Sequence, residues 1–234
     1  MLPPMSETDV ARAAAAAAAL ERIEEGMTIG LGSGRAVWKV IELARQRWPD
    51  GPPLRAAFAS DRTAELGREA GIEAVELDGD ARLDLAIDGA DEVDPSLGLI
   101  KGGGAALLRE KLVVVAAERF VVVAETSKRV ERLGQGFRLP VEVVRFAWRD
   151  TRRRLLDLVP EAELRTTDDG APLLTDEGHH LLDCRLPAEG DLARLGEDLK
   201  ATVGVVEHGL FLGMADEALL GRPDGGVDVL RAGG

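Results

Sequence analysis

The sequence predicts an α/β protein, with a parallel β-sheet covered by helices on both faces and a smaller α+β unit carrying an antiparallel sheet. Two observations carry this expectation. Through the first half of the 234 residues, short continuous apolar segments alternate with helix-like ones, as strands buried on both faces require. Beyond Leu133 the rhythm changes to grouped strands, and Gly134-Gln135-Gly136 marks the boundary. A chain of this length accommodates one large domain or a main domain carrying a small one.

The elements follow in order. Val10 to Glu25 reads as a helix whose run of alanines, Ala13 to Ala19, is explained by helix propensity alone. A strand over Met27 to Leu31 ends in glycines and precedes a helix over Val37 to Arg47. Leu54 to Ala59 is a strand and Thr63 to Ala70 a helix; Ala74 to Leu77 and Leu83 to Asp88 are two more strands. A helix over Ala105 to Ala117 and a strand over Phe120 to Ala124 complete the series. In the second unit, Val141 to Phe146, Ala162 to Thr166 and His179 to Arg185 read as strands, with helices near Thr151 to Leu158 and Leu192 to Thr202. Gly209 to Met214 and Val227 to Leu230 are short segments that could return to the first sheet. No internal repeat is visible.

Composition narrows the function classes. Hydrophobic residues at 45% and charged residues at 30% argue against a disordered chain. No apolar run reaches the roughly 20 residues that a membrane helix needs. Met1 to Asp9 lacks a basic segment followed by an apolar core, so no secretory signal is expected. The single cysteine, Cys184, excludes an internal disulfide and points to a reducing cytoplasm. With a net charge of −13 and no dense Lys/Arg block, nucleic acid and anionic membrane are poor partners. The nearest basic cluster, Arg149 to Arg154, reads as a solvated helix start. A small anionic substrate would need locally placed amides and cations.

Four strands of the first unit each end in a polar or glycine-rich cluster: Gly30 to Arg35, then Ser60, Asp61 and Thr63, then Asp88 to Glu92, then Thr126 to Lys128. Ligands of parallel α/β sheets bind beyond the carboxyl ends of the strands, so these clusters are expected to share one crevice. The first glycine turn fails the dinucleotide test. Arg35 stands where the third glycine belongs, and residues 54 to 59 carry no acid for a ribose. A Gly-Lys-Ser/Thr nucleotide loop is absent too. What remains is either a tight turn that binds nothing or a helix N-terminus offering amides to a phosphate, with Ser33 and Arg35 adding a hydroxyl and a cation.

The acid-rich turn after Ile87 can be simple turn chemistry, but Asp88 continues an apolar strand and so lies at the crevice edge. Crowded carboxylates raise one another's pKa, and Lys101 is near enough in sequence to offset that charge. The strongest local signal is Lys101-Gly102-Gly103-Gly104-Ala105-Ala106, continuing to Arg109-Glu110-Lys111. Three glycines free the backbone to approach a ligand as a helix begins. At 100° per residue Glu110 shares a face with Ala106, Leu107, Val113, Val114 and Ala117, a carboxylate inside an apolar stripe. Desolvation there would raise its pKa and suit it to general base work. His179, His180, Cys184 and His208 lack metal-ligand spacing, so structural roles and no metal are expected. No nucleophile-elbow signature accompanies Cys184 or any serine.

Taken together these residues resemble the A-type ribose-5-phosphate isomerase family. The likeness rests on Gly30-Leu31-Gly32-Ser33-Gly34, Asp88-Gly89-Ala90-Asp91-Glu92 and the Lys101 to Lys111 block. It continues through Lys128, Leu139-Pro140-Val141-Glu142-Val143 and Gly209-Leu210-Phe211. The resemblance implies a Rossmann-like main domain, residues 1–133 plus about 207–234, with an inserted ferredoxin-like α+β domain over about 134–206. It implies a dimer or tetramer of this chain and the cofactor-free interconversion of ribose 5-phosphate and ribulose 5-phosphate. It puts the proton acceptor on Glu110, with Asp88 assisting ring opening. Asp91 and Lys101 then handle charge on the sugar oxygens. Gly89, Ala90, Gly102, Gly103, Gly104 and Lys128 hold substrate. The family's phosphate turn reads Thr-Gly-Ser-Thr, and here Ser33-Gly34-Arg35-Ala36 replaces it, losing two hydroxyls and gaining a guanidinium. Arg35 can pair with the phosphate bidentately or point to solvent. The rival expectations are a non-catalytic sugar-phosphate sensor, which would need no poised base, and an isomerase of another sugar phosphate.

Overall fold

The computed structural model describes residues 6–231. Residues 1–5 and 232–234 lie outside them, and with them most of the Met1–Asp9 stretch and the outermost limits of the main domain. In chain order the elements are α1 (Glu7–Leu20), β1 (Thr28–Leu31), α2 (Arg35–Arg47), β2 (Arg55–Phe58), α3 (Asp61–Glu69), β3 (Glu73–Ala74) and β4 (Leu85–Asp88). Then come β5 (Glu92–Val93), β6 (Leu99–Ile100), α4 (Leu107–Val115), β7 (Phe120–Glu125), β8 (Leu139–Val143), α5 (Trp148–Leu155), β9 (Glu161–Leu164) and β10 (His180–Arg185). The chain closes with α6 (Leu192–Ala201), β11 (Val205–His208), β12 (Leu210–Phe211), β13 (Glu217–Gly221) and β14 (Val227–Arg231).

The main sheet has seven strands in the order β14-β13-β7-β4-β1-β2-β3. All its pairings are parallel except that of β13 with the edge strand β14. Strands β1, β4 and β7 are buried along their whole length, because helices cover both faces. From β1 the order runs outward in both directions, so the connections to β2 and β4 leave on opposite sides. That reversal opens a crevice at the carboxyl ends of β1 and β4.

Residues β8 to β11 form a separate four-stranded sheet in the order β11-β8-β10-β9. All of its pairings are antiparallel. With α5 and α6 this is a β-α-β-β-α-β unit of ferredoxin-like topology. It has its own core, built from residues such as Val141, Leu155, Leu182, Cys184 and Leu199. The arginine cluster of 149–154 falls on α5 as a half-solvated helix.

Several elements differ from the sequence expectation. The first helix stops at Leu20 rather than Glu25, because the chain turns back to bury Ile23. The expected Ala74 to Leu77 strand pairs only at Glu73 and Ala74, on an exposed edge. The helix expected from Ala105 begins at Leu107, since Ala105 takes a left-handed φ of 63°. Gly209 to Met214 does not return to the main sheet: β12 pairs with β6 in a small three-stranded sheet with β5. The return is made by β13, which the sequence pattern did not reveal, and by β14 at Val227–Arg231.

The alanines of α1 also have a packing reason. Ala11, Ala15, Ala16 and Ala19 are buried. At Gly221 on β13 a Cβ would fall 1.7 Å from the Ala11 carbonyl oxygen. Helix and strand approach this closely only because both faces carry almost no side chain.

Candidate active site

A cavity of about 470 Å³ occupies the crevice beyond β1, β4 and β7. Asp88, the last residue of β4, lies under its floor and is 1% exposed. Gly32 makes that position available, because a Cβ there would sit 1.9 Å from the Asp88 carboxylate carbon. The Asp88 Oδ1 accepts hydrogen bonds from the Ser33 and Gly89 amides at 3.1 and 2.7 Å. Its Oδ2 lies 2.8 Å from the Lys101 Nζ.

Lys101 leaves β6 with its amide bonded to the Gly209 carbonyl at 2.9 Å. Its ammonium donates to the Gly89 carbonyl at 2.7 Å and lies 3.3 Å from Glu110 Oε2. Glu110 sits in the first turn of α4, among the buried residues Leu107, Val113 and Val114, with its carboxylate at the cavity wall. One ammonium therefore faces two buried carboxylates. Burial, and then the Asp88 charge, push the Glu110 carboxyl up to about 8. Burial also raises Asp88, against the pull of Lys101. For Lys101 burial works against the charge, but Asp88 and Glu110 outweigh it and hold the ammonium more firmly protonated than usual. Such a cluster favours one shared carboxyl proton and an unequal pair of acids, the arrangement that acid–base chemistry uses.

The glycine loop forms the adjacent wall. Gly102 has φ 105°, and at Gly103 a Cβ would come 2.5 Å from Asp91 Oδ1. The Gly103 amide donates to Asp91 Oδ2 at 2.7 Å. A left-handed alanine, Ala105, then sets the entry to α4, a strained conformation held at the edge of the site.

Ser33, Gly34, Arg35 and Ala36 form the turn from β1 into α2 and line the cavity too. Gly34 caps the helix at φ 98°, a value that side chains disfavour. The first amides of α2 have no intrahelical acceptor and face an anion-sized space. The Ser33 hydroxyl donates to Ser60 at 3.1 Å. Arg35 is exposed and makes no ion pair among the described residues. Gly89, Ala90, Gly104 and Lys128 line the same cavity. Of the strand-end clusters expected to share this crevice, Ser33 to Ala36, Gly89 to Asp91, Lys101 to Gly104, Glu110 and Lys128 line the cavity and Asp88 lies beneath it, whereas Ser60, Asp61, Thr63, Thr126 and Ser127 do not line it.

Sequence reading missed Arg12 and Glu125, which pair at 2.7 Å on the cavity wall. Arg12 lies on the α1 face of Ala15, Ala16 and Ala19, a lone charge in an apolar stripe, so the signal that picked out Glu110 was present there too. Glu92 takes a different task from its neighbours. Buried away from the cavity, it accepts the amides of Gly134, Gly136 and Phe137 at 2.6, 2.5 and 2.7 Å, fixing the link into the second unit. His179 pairs with Glu142 at 2.9 Å and His180 packs edge-on against Trp148, so they do not converge on Cys184. Burial pushes the Cys184 thiol up to about 12 and, with Lys111, the His208 imidazole down to about 4.

Comparison with known proteins bears on this geometry. A family model described as ribose 5-phosphate isomerase A (phosphoriboisomerase A) matches residues 56–225. The ribose-5-phosphate isomerase A of Synechococcus sp. (strain JA-3-3Ab) is 48% identical over 229 residues, covering 97% of this chain and 99% of the relative. That of Roseiflexus castenholzii is 49% identical over 220 residues, covering 93% and 94%. Among solved structures, ribose 5-phosphate isomerase A of Methanocaldococcus jannaschii superposes with a TM-score of 0.88 at 35% identity, covering 97% of this chain and 100% of that one. A D-ribose-5-phosphate isomerase in complex with phospho-erythronic acid gives 0.89 at 34% identity, covering 96% and 99%.

Proposed function

Because this chain belongs to the ribose 5-phosphate isomerase A family, we propose that its cavity holds the open-chain sugar phosphate with the reacting carbons at Glu110. The reaction is the reversible interconversion of ribose 5-phosphate and ribulose 5-phosphate. Glu110 removes the C2 proton and returns it to C1; the O2 hydroxyl proton leaves as O1 gains one, so a cis-enediolate forms and collapses with no net change in atoms. Lys101 and Asp91 steady charge on O1 and O2, and the Gly102–Gly104 amides hold sugar oxygens. Asp88 assists ring opening. The observation that carries this reading is Glu110 itself, a carboxyl pushed up to about 8 at the wall of the cavity beside Lys101.

The phosphate goes to the amides of Gly34 to Ala36 and the Ser33 hydroxyl, with Arg35 and Lys128 as the cations. What supports this is their place on the cavity wall at the start of α2, together with the Arg35 guanidinium, which makes no ion pair among the described residues. The phospho-erythronic acid bound by a relative is a sugar-acid phosphate, chemically matched to a site with an anion cradle at one end and an ammonium at the other. No metal or organic cofactor takes part in this scheme. No helix among the described residues is long and apolar enough to cross a membrane. We place the enzyme in the cytoplasm, on its one buried thiol, as a homodimer or homotetramer, on its family resemblance. The same reading divides the chain into 1–133 plus about 207–234 and about 134–206, supported by the separate antiparallel sheet of the second unit, whose core also takes in Ile100, Leu133 and Leu210 from the flanking segments.

The test is conversion of ribose 5-phosphate in D2O containing EDTA. Ribulose 5-phosphate carrying solvent deuterium at C1 is expected from the parent, and no turnover from Glu110→Gln. Turnover by Glu110→Gln at a rate close to the parent's would overturn the assignment of the base.

A further inference from the structure

The glycine loop that forms one wall of the site is held by its own domain at the Gly103 amide, on Asp91 at 2.7 Å, and by the Ala105 amide on the Gly102 carbonyl at 3.1 Å, but its carbonyls are also gripped from the second unit. Arg165, just after β9, donates through one Nη to the Gly102 carbonyl at 2.7 Å and to the Gly103 carbonyl at 3.2 Å. The rest of its guanidinium is gripped by Asp183 of the neighbouring strand β10, with the Nε at 2.9 Å and the second Nη at 2.5 Å. Its side chain is 14% exposed and that of Asp183 is 24% exposed, so the pair is shielded rather than freely solvated. Both residues belong to the ferredoxin-like unit, while the carbonyls belong to the catalytic wall.

Peptide geometry gives this contact a consequence. In a trans peptide the C=O and the following N–H point in opposite directions. Fixing the Gly102 carbonyl on Arg165 therefore aims the Gly103 amide the other way, and that amide is found on Asp91 at 2.7 Å. Fixing the Gly103 carbonyl does the same for the Gly104 amide, which has no protein acceptor among the described residues. A glycine loop has no side chains with which to hold itself. Gly102 at φ 105° and Ala105 at φ 63° are conformations that surrounding contacts must maintain.

From this we propose that Arg165, oriented by Asp183, is a positioning residue for the isomerisation: the ferredoxin-like unit acts as the clamp that aims the Gly103 and Gly104 amides at the substrate and at Asp91. Arginine suits the task because its planar fork binds a carboxylate with one edge while a remaining N–H reaches the carbonyls, which lysine cannot do. The inference rests on the functional reading given above, in which those amides hold sugar oxygens.

Three variants test it: Arg165→Met, Asp183→Asn and, as a control, Arg138→Met. The control cuts another ion pair of the same unit, at 2.8 Å to Glu161 and 2.9 Å to Glu163, in which Arg138 makes no hydrogen bond to the glycine loop. In Arg165→Met kcat is expected to fall by about ten- to a hundredfold with KM changed by less than about threefold, the pattern of a misplaced catalytic wall. Asp183→Asn should give a smaller fall of the same kind, and Arg138→Met none. Independently of activity, hydrogen exchange at residues 102–105 should quicken in Arg165→Met and Asp183→Asn but not in the control. A parent-like kcat with unchanged exchange in a folded Arg165→Met overturns the clamp, as does an equal kcat loss in Arg138→Met. If Arg165→Met does not fold, Asp183→Asn decides by the same two readouts. An inactive parent would instead overturn the functional reading, and the exchange comparison would still judge the clamp.

Discussion

The two ends of the cavity are built from different materials. At the reacting end, Asp88, Lys101 and Glu110 are side chains buried to 5% exposure or less and paired within 3.3 Å. At the turn proposed for the phosphate the wall is mostly backbone, from Ser33 to Ala36, with Arg35 exposed. Buried charges shift one another's proton affinities strongly, while an exposed cation is screened by water and salt. On the proposed reading the buried cluster can therefore set a pKa, and the Ser33–Ala36 turn mainly supplies binding. Substitutions should separate along that line, with kcat answering at one end and KM at the other.

Glu110→Gln is the sharpest way to break the comparison. It keeps size and removes the proton acceptor, so kcat is expected to fall by about a thousandfold or more with KM within a few-fold; steady-state kinetics checks this, and a kcat within tenfold of the parent would move the base elsewhere. Lys101→Met comes next. It should lower kcat by about a hundredfold and also lower Tm, because two carboxyls lose the ammonium that holds them in place. At the other end Arg35→Ala should raise KM for ribose 5-phosphate by about three- to tenfold with kcat within about twofold, and the difference should shrink in high salt. An Arg35→Ala enzyme with parent-like KM at low salt would assign the phosphate to the backbone and Lys128 alone.

The smallest effect concerns stability. Glu110 titrates near 4.5 in an unfolded chain and at about 8 in the fold. Between those values the folded state holds a proton that the unfolded state has lost, so this group makes the protein progressively less stable as pH rises through that interval. Glu110→Gln lacks the titration. Its Tm advantage over the parent should thus grow from pH 4.5 to about 8 and then level off, as thermal melts across that range would show. A constant difference would mean the carboxyl is not raised in the fold.

The reacting end was also the more legible in sequence. Lys101 to Lys111 announces a close backbone approach and a carboxylate in an apolar stripe within eleven residues, and Asp88 extends an apolar strand directly. The alternating strands and helices up to Phe120–Glu125 were equally plain. What escaped was whatever depends on distant partners. Two-residue strands such as β5, β6 and β12 are too short to show a period, and β13 is recognised only by its pairing with β7. Arg12 hid in a run of alanines, and Glu92 looked like its acidic neighbours until Gly134–Phe137 was seen to fold onto it. The grip of Arg165 on the glycine loop spans 63 residues of chain, and no local pattern records it.

The placement of β13 also governs how the protein can be made. Strand β7, buried at every residue, takes β13 as its outer neighbour, and the Phe120 amide waits for the Asp216 carboxylate 96 residues further on. During synthesis the whole ferredoxin-like unit leaves the ribosome before that partner exists. Until then β7 presents a bare apolar edge of the kind that other chains pair with. Translation speed and chaperone supply should thus bear on the yield of this enzyme more than its final stability does. A released chain ending at Phe211, which lacks β13, is expected to aggregate more than the full chain, as light scattering of the two would show.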